Sequence, residues 1–152
     1  MHKNFLVIIL IPFFLYGCGY SPIYSENIDK KMNLELVNFI GDREINNAIK
    51  NNLQRYIELS DKSKIFIETD TKYTKSAKTK NLAGDTKSYN ISSTVTFKVY
   101  YGEVEKIFSF TENTTINDIE NKLDETTYET NIKRNFAVLF SDNLILQLIK
   151  LK

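Results

Sequence analysis

A thiol directly behind a glycine is the first group in this chain whose surroundings suggest chemistry. Cys18 follows Leu15-Tyr16-Gly17, which closes an apolar run that starts at Phe5. Gly17 leaves the next bond open to a peptidase, and a thiol beside a membrane-embedded segment can accept a diacylglycerol. Cys18 is the one cysteine of the chain and His2 the one histidine. Beyond residue 18 there is neither imidazole nor thiol. That excludes a Cys/His zinc site, a Ser–His–Asp triad and a Cys–His dyad. Carboxylate-only or Ser–Lys chemistry stays open in principle, but the carboxylates are scattered and form no evident acid/base pair. Five glycines leave little room for a phosphate-cradling loop. The expectation is a protein without catalytic residues, metal or dissociable cofactor.

The second group with chemical potential is basic. Lys75, Lys78, Lys80 and Lys87 stand against one acid, Asp85, in a polar stretch over residues 74–87, and Lys72 precedes it. Lys122 lies in a second polar stretch. Lysines bind phosphate and carboxylate as point charges. With apolar surface nearby they suit an anionic amphiphile; the plainer alternative is a solvated loop with ordinary lysines. Globally there is no such bias. The chain has 20 Lys+Arg and 19 Asp+Glu, and loss of Lys3 would balance them. Nothing draws the whole molecule to nucleic acid. Asn90-Ile-Ser92 and Asn113-Thr-Thr115 match a glycosylation sequon, a frequent chance match.

Residues 1–17 read as a cleaved export signal. His2 and Lys3 form its basic start, and the apolar run is too short for the roughly 20 residues of a membrane span. Leu15, Gly17 and Cys18 resemble the bacterial lipobox; Tyr16 departs, since a smaller residue is usual there. Cleavage would leave Cys18 as the first mature residue, carrying a diacylglycerol and an N-acyl chain. Each buried methylene contributes about 0.8 kcal/mol, so three chains anchor stably. A secretory signal with an incidental cysteine is the alternative. Gly19 follows where Asp would signal retention in the inner membrane. By that resemblance the destination is the outer membrane, with the domain facing the periplasm.

The elements that must position these residues follow from hydrophobic periodicity. Residues 18–32 read as a lipid-anchored arm and 33–152 as one domain, within the usual range of about 100–150 residues. Asn33–Ile40 is a first strand with Leu34 and Leu36 on one face. Asp42 caps a helix to about Leu59, with Ile45, Ala48, Ile49, Leu53, Tyr56 and Ile57 as its apolar stripe and Asn46 among its water-facing residues. Lys64–Tyr73 is a second strand, followed by a loop over 74–87. Tyr89–Tyr101 alternates cleanly, with Tyr89, Ile91, Val95, Phe97, Val99 and Tyr101 on one apolar face. Gly102-Glu103 turns the chain into Lys106–Asn117, with Phe108 and Phe110 inward. After a loop over 118–124, a helix runs from about Glu125 to Lys150. Its later half, with Phe136 to Phe140 and Leu144 to Ile149, is apolar beyond what one sheet face needs. It is either a partner surface or a deeply buried helix. The order strand, helix, three strands, helix predicts an α+β two-layer sandwich with both helices on one face of a four-stranded sheet.

Read together, these segments resemble one family. Cys18-Gly19-Tyr20-Ser21-Pro22-Ile23-Tyr24 is similar to the mature start of the LptE family of lipopolysaccharide-assembly lipoproteins, particularly its alphaproteobacterial members. Asp42 to Tyr56, with Ala48-Ile-Lys-Asn-Asn-Leu-Gln-Arg55, looks like that family's first helix. The Tyr89–Tyr101 strand and the final helix fall in matching order. The resemblance implies an outer-membrane lipoprotein that serves the LptD β-barrel as plug and assembly factor and helps carry lipopolysaccharide to the surface. The other reading is an accessory binding subunit of a different envelope lipid-transport complex. Basic loop residues of the family are implicated in contacting lipopolysaccharide. Lys78, Lys80 and Lys122 fall in comparable stretches without matching a motif.

Overall fold

The structure is a computed structural model, and it describes residues 32–58 and 63–151. Cys18, the expected export signal over 1–17 and all of the expected arm over 18–32 except Met32 lie outside the described residues. The element order is β1 (Leu34–Gly41), α1 (Arg43–Gln54), β2 (Ile65–Lys80), β3 (Thr86–Tyr101), β4 (Val104–Asn117) and α2 (Lys122–Lys150). The strands form one sheet in the order β1-β2-β3-β4. β1 pairs parallel with β2, and the other neighbours pair antiparallel. The α+β architecture expected from the periodicity is therefore the one observed.

The core lies between the helices and the inward row of the sheet. Ile67, Ile91, Val95, Phe97 and Val99 from the strands meet Ile45, Ile49 and Leu53 of α1 and Phe140, Leu144 and Leu148 of α2. Phe97 and Phe140 are fully buried; burial of such a side chain contributes about 1.5–3 kcal/mol. Both helices run against the direction of β2. Asp42, at the start of α1, meets Lys133 of α2, while Leu148, near the end of α2, lies by Ile65 at the start of β2. The first turns of α2 thus project past α1 along the sheet.

Three boundaries differ from the periodicity reading. α1 stops at Gln54 rather than near Leu59. The backbone beyond it is captured by a strand-like bridge: Met32 N–H donates to Tyr56 O at 2.8 Å, and Glu58 N–H donates to Met32 O at 2.9 Å. Met32 is itself buried. Next, the loop expected over 74–87 is mostly strand. β2 runs on to Lys80 and β3 starts at Thr86. Thr74, Ser76 and Thr79 carry no apolar alternation, yet they pair with Ser92, Asn90 and Ser88. The signal is missing because charge, not hydrocarbon, covers this end of the sheet. Finally, α2 begins at Lys122 because the Asn121 side chain accepts the Leu123 N–H at 2.9 Å.

Asn46 is the one clear inversion within α1. It is buried, not water-facing. Its amide donates to Ile40 O at 2.9 Å, and its Oδ1 accepts from Thr71 Oγ1 at 3.1 Å. The bonds stitch the β1–α1 connection to β2 and satisfy a polar group that would be costly to bury alone. Gly41 makes that corner possible. Its φ of 96° is left-handed, and a Cβ there would lie 1.7 Å from Thr71 O.

Candidate functional site

The end of the domain formed by the β2–β3 hairpin and the start of α2 holds nearly all the basic residues singled out by sequence. Asp118 N–H donates to Lys87 O at 2.9 Å, so the hairpin and the connection into α2 lie at one end of the sheet. The two halves of this end behave differently.

On the helix side lies an ionic layer. The inner stripe of α2 is apolar at Ile132, Phe136, Phe140, Leu144 and Leu148. Followed back towards the N-terminus at the same spacing, it becomes Glu129 and Glu125. Lys75 of β2 rises between these carboxylates and donates to Glu125 at 2.7 Å and Glu129 at 2.9 Å. Lys122 closes on the other oxygen of Glu125 at 2.7 Å. One turn further, Lys133 bridges Asp42 at 3.0 Å and Glu44 at 3.4 Å. The Lys75 ammonium lies 4.8 Å from the Tyr89 ring centre, and that of Lys133 lies 4.3 Å from Tyr73.

The charges tune one another. The Lys122 and Lys75 ammoniums hold the Glu125 carboxyl at about 2. Burial pushes Glu129 up, but the Lys75 ammonium bonded to it outweighs burial and leaves the carboxyl below its ordinary value. Burial, then the nearby Glu129 carboxylate, raises the Tyr73 hydroxyl far above the usual phenol range. Burial lowers Lys75 and Lys133, yet their acid partners raise both above the ordinary lysine value. Every cation in this layer already has its counterion, so the layer is a structural clamp between α2 and the sheet. Lys122 is one of its members and stands in the first turn of a helix, not in a loop.

The hairpin tip is the chemically open half. Asn81 and Asp85 close it: Asn81 N–H donates to Asp85 O at 2.9 Å, and Asp85 N–H donates to the Asn81 side chain at 2.8 Å. Gly84 takes a φ of 90° in the turn. Leu82 is fully exposed at the apex. Lys80 and Lys87 flank it and have no ion-pair partner among the described residues. Lys78 sits at the irregularity in the β2–β3 register and reaches across the outer face of the sheet to Thr115 Oγ1 at 2.8 Å. The three lysines singled out by the family resemblance are therefore divided. Lys78 and Lys80 serve the hairpin, and Lys122 serves the clamp on the helix side. Leu82 escaped the sequence reading, although a lone leucine among Lys, Asn and Gly over residues 80–87 was a visible signal.

The outer sheet face is polar towards the hairpin and carries the exposed Phe66 and Ile107 at its other end. Thr94 and Thr111 hydroxyls meet at 2.9 Å, and Thr96 and Ser109 at 3.4 Å. On the far side of the molecule, Val138, Leu139 and Leu146 of α2 are exposed. The surplus apolar residues of that helix are thus surface, not core. Among the described residues no helix is long and apolar enough to cross a membrane, and no three Asp, Glu, His or Cys side chains gather as metal ligands would.

The arrangement has solved counterparts. The fold is one found in bacterial lipoproteins. The rare lipoprotein B of Shewanella oneidensis superimposes with a TM-score of 0.55 at 11% identity, covering 76% of this chain and 95% of that one. Lipoprotein B of Nitrosomonas europaea gives 0.53 at 9% identity, covering 78% of this chain and 86% of that one. A chain from Caulobacter crescentus gives 0.55 at 11% identity, covering 76% and 87%. No family model and no curated protein sequence matches the chain. At such identities the likeness is one of fold.

Proposed function

We propose that this chain is an outer-membrane lipoprotein, anchored through Cys18, that plugs and supports an LptD-like β-barrel and guides lipopolysaccharide towards the cell surface. The observation that carries the reading is the hairpin tip, where the fully exposed Leu82 stands in the chain between Lys80 and Lys87, neither of which has an ion-pair partner among the described residues. An apolar side chain flanked by cations suits an anionic amphiphile, whose phosphates and acyl chains need both. The outer sheet face supports the barrel part. A barrel lumen is polar, and an outer face on which Thr74, Ser92, Thr94, Thr96, Ser109 and Thr111 stand among Glu68, Asp70, Lys72 and Lys98 suits such surroundings. The resemblance of Cys18 to Tyr24 to the LptE start supplies the family, and the lipoprotein fold accords with it.

The test is recovery of the full lipoprotein from membranes in mild detergent, with mass spectrometry of what accompanies it. A large β-barrel protein is expected, and depletion of the chain should lower surface lipopolysaccharide. Recovery without any barrel would overturn the reading. Recovery with an inner-membrane complex instead would point to the accessory subunit of another lipid transporter. The double variant Lys80→Glu/Lys87→Glu should weaken lipopolysaccharide binding several-fold by charge reversal while leaving the recovered partner unchanged.

A further inference from the structure

The two edges of the sheet are built differently. β1 has 8 residues, its register against β2 shifts between Leu36 and Asn38, and it ends in the left-handed Gly41. A short, irregular edge of this kind resists pairing with another chain. β4 has 14 residues and pairs with β3 without a break from Val104 to Asn117. It contains neither proline nor glycine and alternates Phe108 and Phe110 with Ser109 and Thr111. No strand lies beyond it among the described residues, so one row of its backbone N–H and C=O groups faces outward unpaired.

The charges on this edge select a partner. Lys106 and Glu112 both lie on the helix-side face, in step with Phe108 and Phe110, and neither makes an ion pair among the described residues. A second β4 laid antiparallel, with Ser109 opposite Ser109, sets Lys106 against Glu112 and, by symmetry, Glu112 against Lys106. The same register sets Phe108 against Phe110 twice. It keeps both helix-bearing faces on one side of the joined sheet, as the alternation of side chains demands. Sliding one strand by a pleat repeat either way brings a charge opposite a phenylalanine. We propose that β4 is a self-association edge: two copies of this chain pair their β4 strands antiparallel about Ser109 to make one continuous sheet. The interface is isologous, as in most symmetric dimers. It rests on β4 alone and does not depend on the barrel reading above.

The experiment uses the full chain in mild detergent, with the protein mass measured by sedimentation equilibrium. A concentration-dependent dimer is expected. Lys106→Glu should weaken it about tenfold, since like charges then face each other twice. Lys106→Glu combined with Glu112→Lys should restore it, and circular dichroism checks that each variant is folded. The register is read by cysteine pairing. Directly opposed residues have Cα atoms about 4.5–5.5 Å apart, within disulfide reach. Ser109→Cys should therefore cross-link two copies on mild oxidation. Thr111→Cys should not, because its two copies would lie about 13 Å apart along the strands. A chain that stays monomeric at every concentration overturns the proposal, whether or not another protein then occupies the edge. So does equal cross-linking at positions 109 and 111.

Discussion

Asp42 serves two elements with one carboxylate. Its Oδ1 accepts the N–H groups of Glu44 and Ile45, both at 3.0 Å, which caps α1; its Oδ2 takes the Lys133 ammonium from α2 at 3.0 Å. Burial alone would raise its pKa, but these donors outweigh burial and hold it below the ordinary 3.8. Asp42→Ala should thus lower stability by about 0.5–2 kcal/mol, the range for a lost N-cap, read as a shift in the urea midpoint. Asp42→Asn should recover the cap but not the ion pair. The sign of the pH dependence follows from the same groups. Asp42, Glu125 and Glu129 are all depressed in the folded state. Their contribution is complete above the unfolded carboxyl values and is lost as pH falls through the folded ones, which for Glu125 is about 2. The urea midpoint should therefore fall between about pH 5 and pH 2. Glu125→Gln should flatten that fall; an unchanged slope would show that Glu125 contributes nothing to acid stability.

At the scale of elements, the β1–α1 corner tolerates little change. A side chain at position 41 would have to adopt a φ of 96° and would collide with the Thr71 carbonyl. Gly41→Ala should cost at least about 2 kcal/mol, since a left-handed non-glycine residue alone costs about 1–3 kcal/mol. Thermal unfolding would register it as a lower Tm, and no loss there would mean that the corner can rearrange. The long hairpin is a different kind of element. Its distal half was illegible as strand because strand recognition rests on alternating hydrocarbon. Lys75, Thr79 and Lys80 offer none. They are held as strand by pairing to β3 and by the carboxylates that α2 lowers onto Lys75, and those carboxylates come from 50 and 54 residues along the chain. Lys122 was misplaced for a related reason. Asn121 looks like a loop residue until its side chain is seen to accept the Leu123 N–H.

For the whole molecule, the sequence determined the elements and their inward faces. Ile91, Val95, Phe97 and Val99 recur at the strand period, and Ile132, Phe136, Phe140 and Leu144 at the helix period. Hydrocarbon spaced in that way can be buried in only one secondary structure, so the local pattern sufficed for the α+β sandwich. Asp42 as a cap and Gly102 as a turn were legible for the same reason, since each acts on its immediate neighbours. What the tertiary structure decided is which charges are free. Seen in sequence, Lys75, Lys78, Lys80, Lys87 and Lys122 form one basic group. Folding spends Lys75 and Lys122 on Glu125, leaves Lys80 and Lys87 without an ion-pair partner among the described residues, and separates Lys78 onto the outer face. It also decided that Asn46 is buried, that Leu139 and Leu146 are surface, and that β4 rather than β1 is the regular open edge. Each of these depends on what lies across a gap in space. A charge or a polar group is defined by its partner, and the partner's place along the chain carries no trace of the contact.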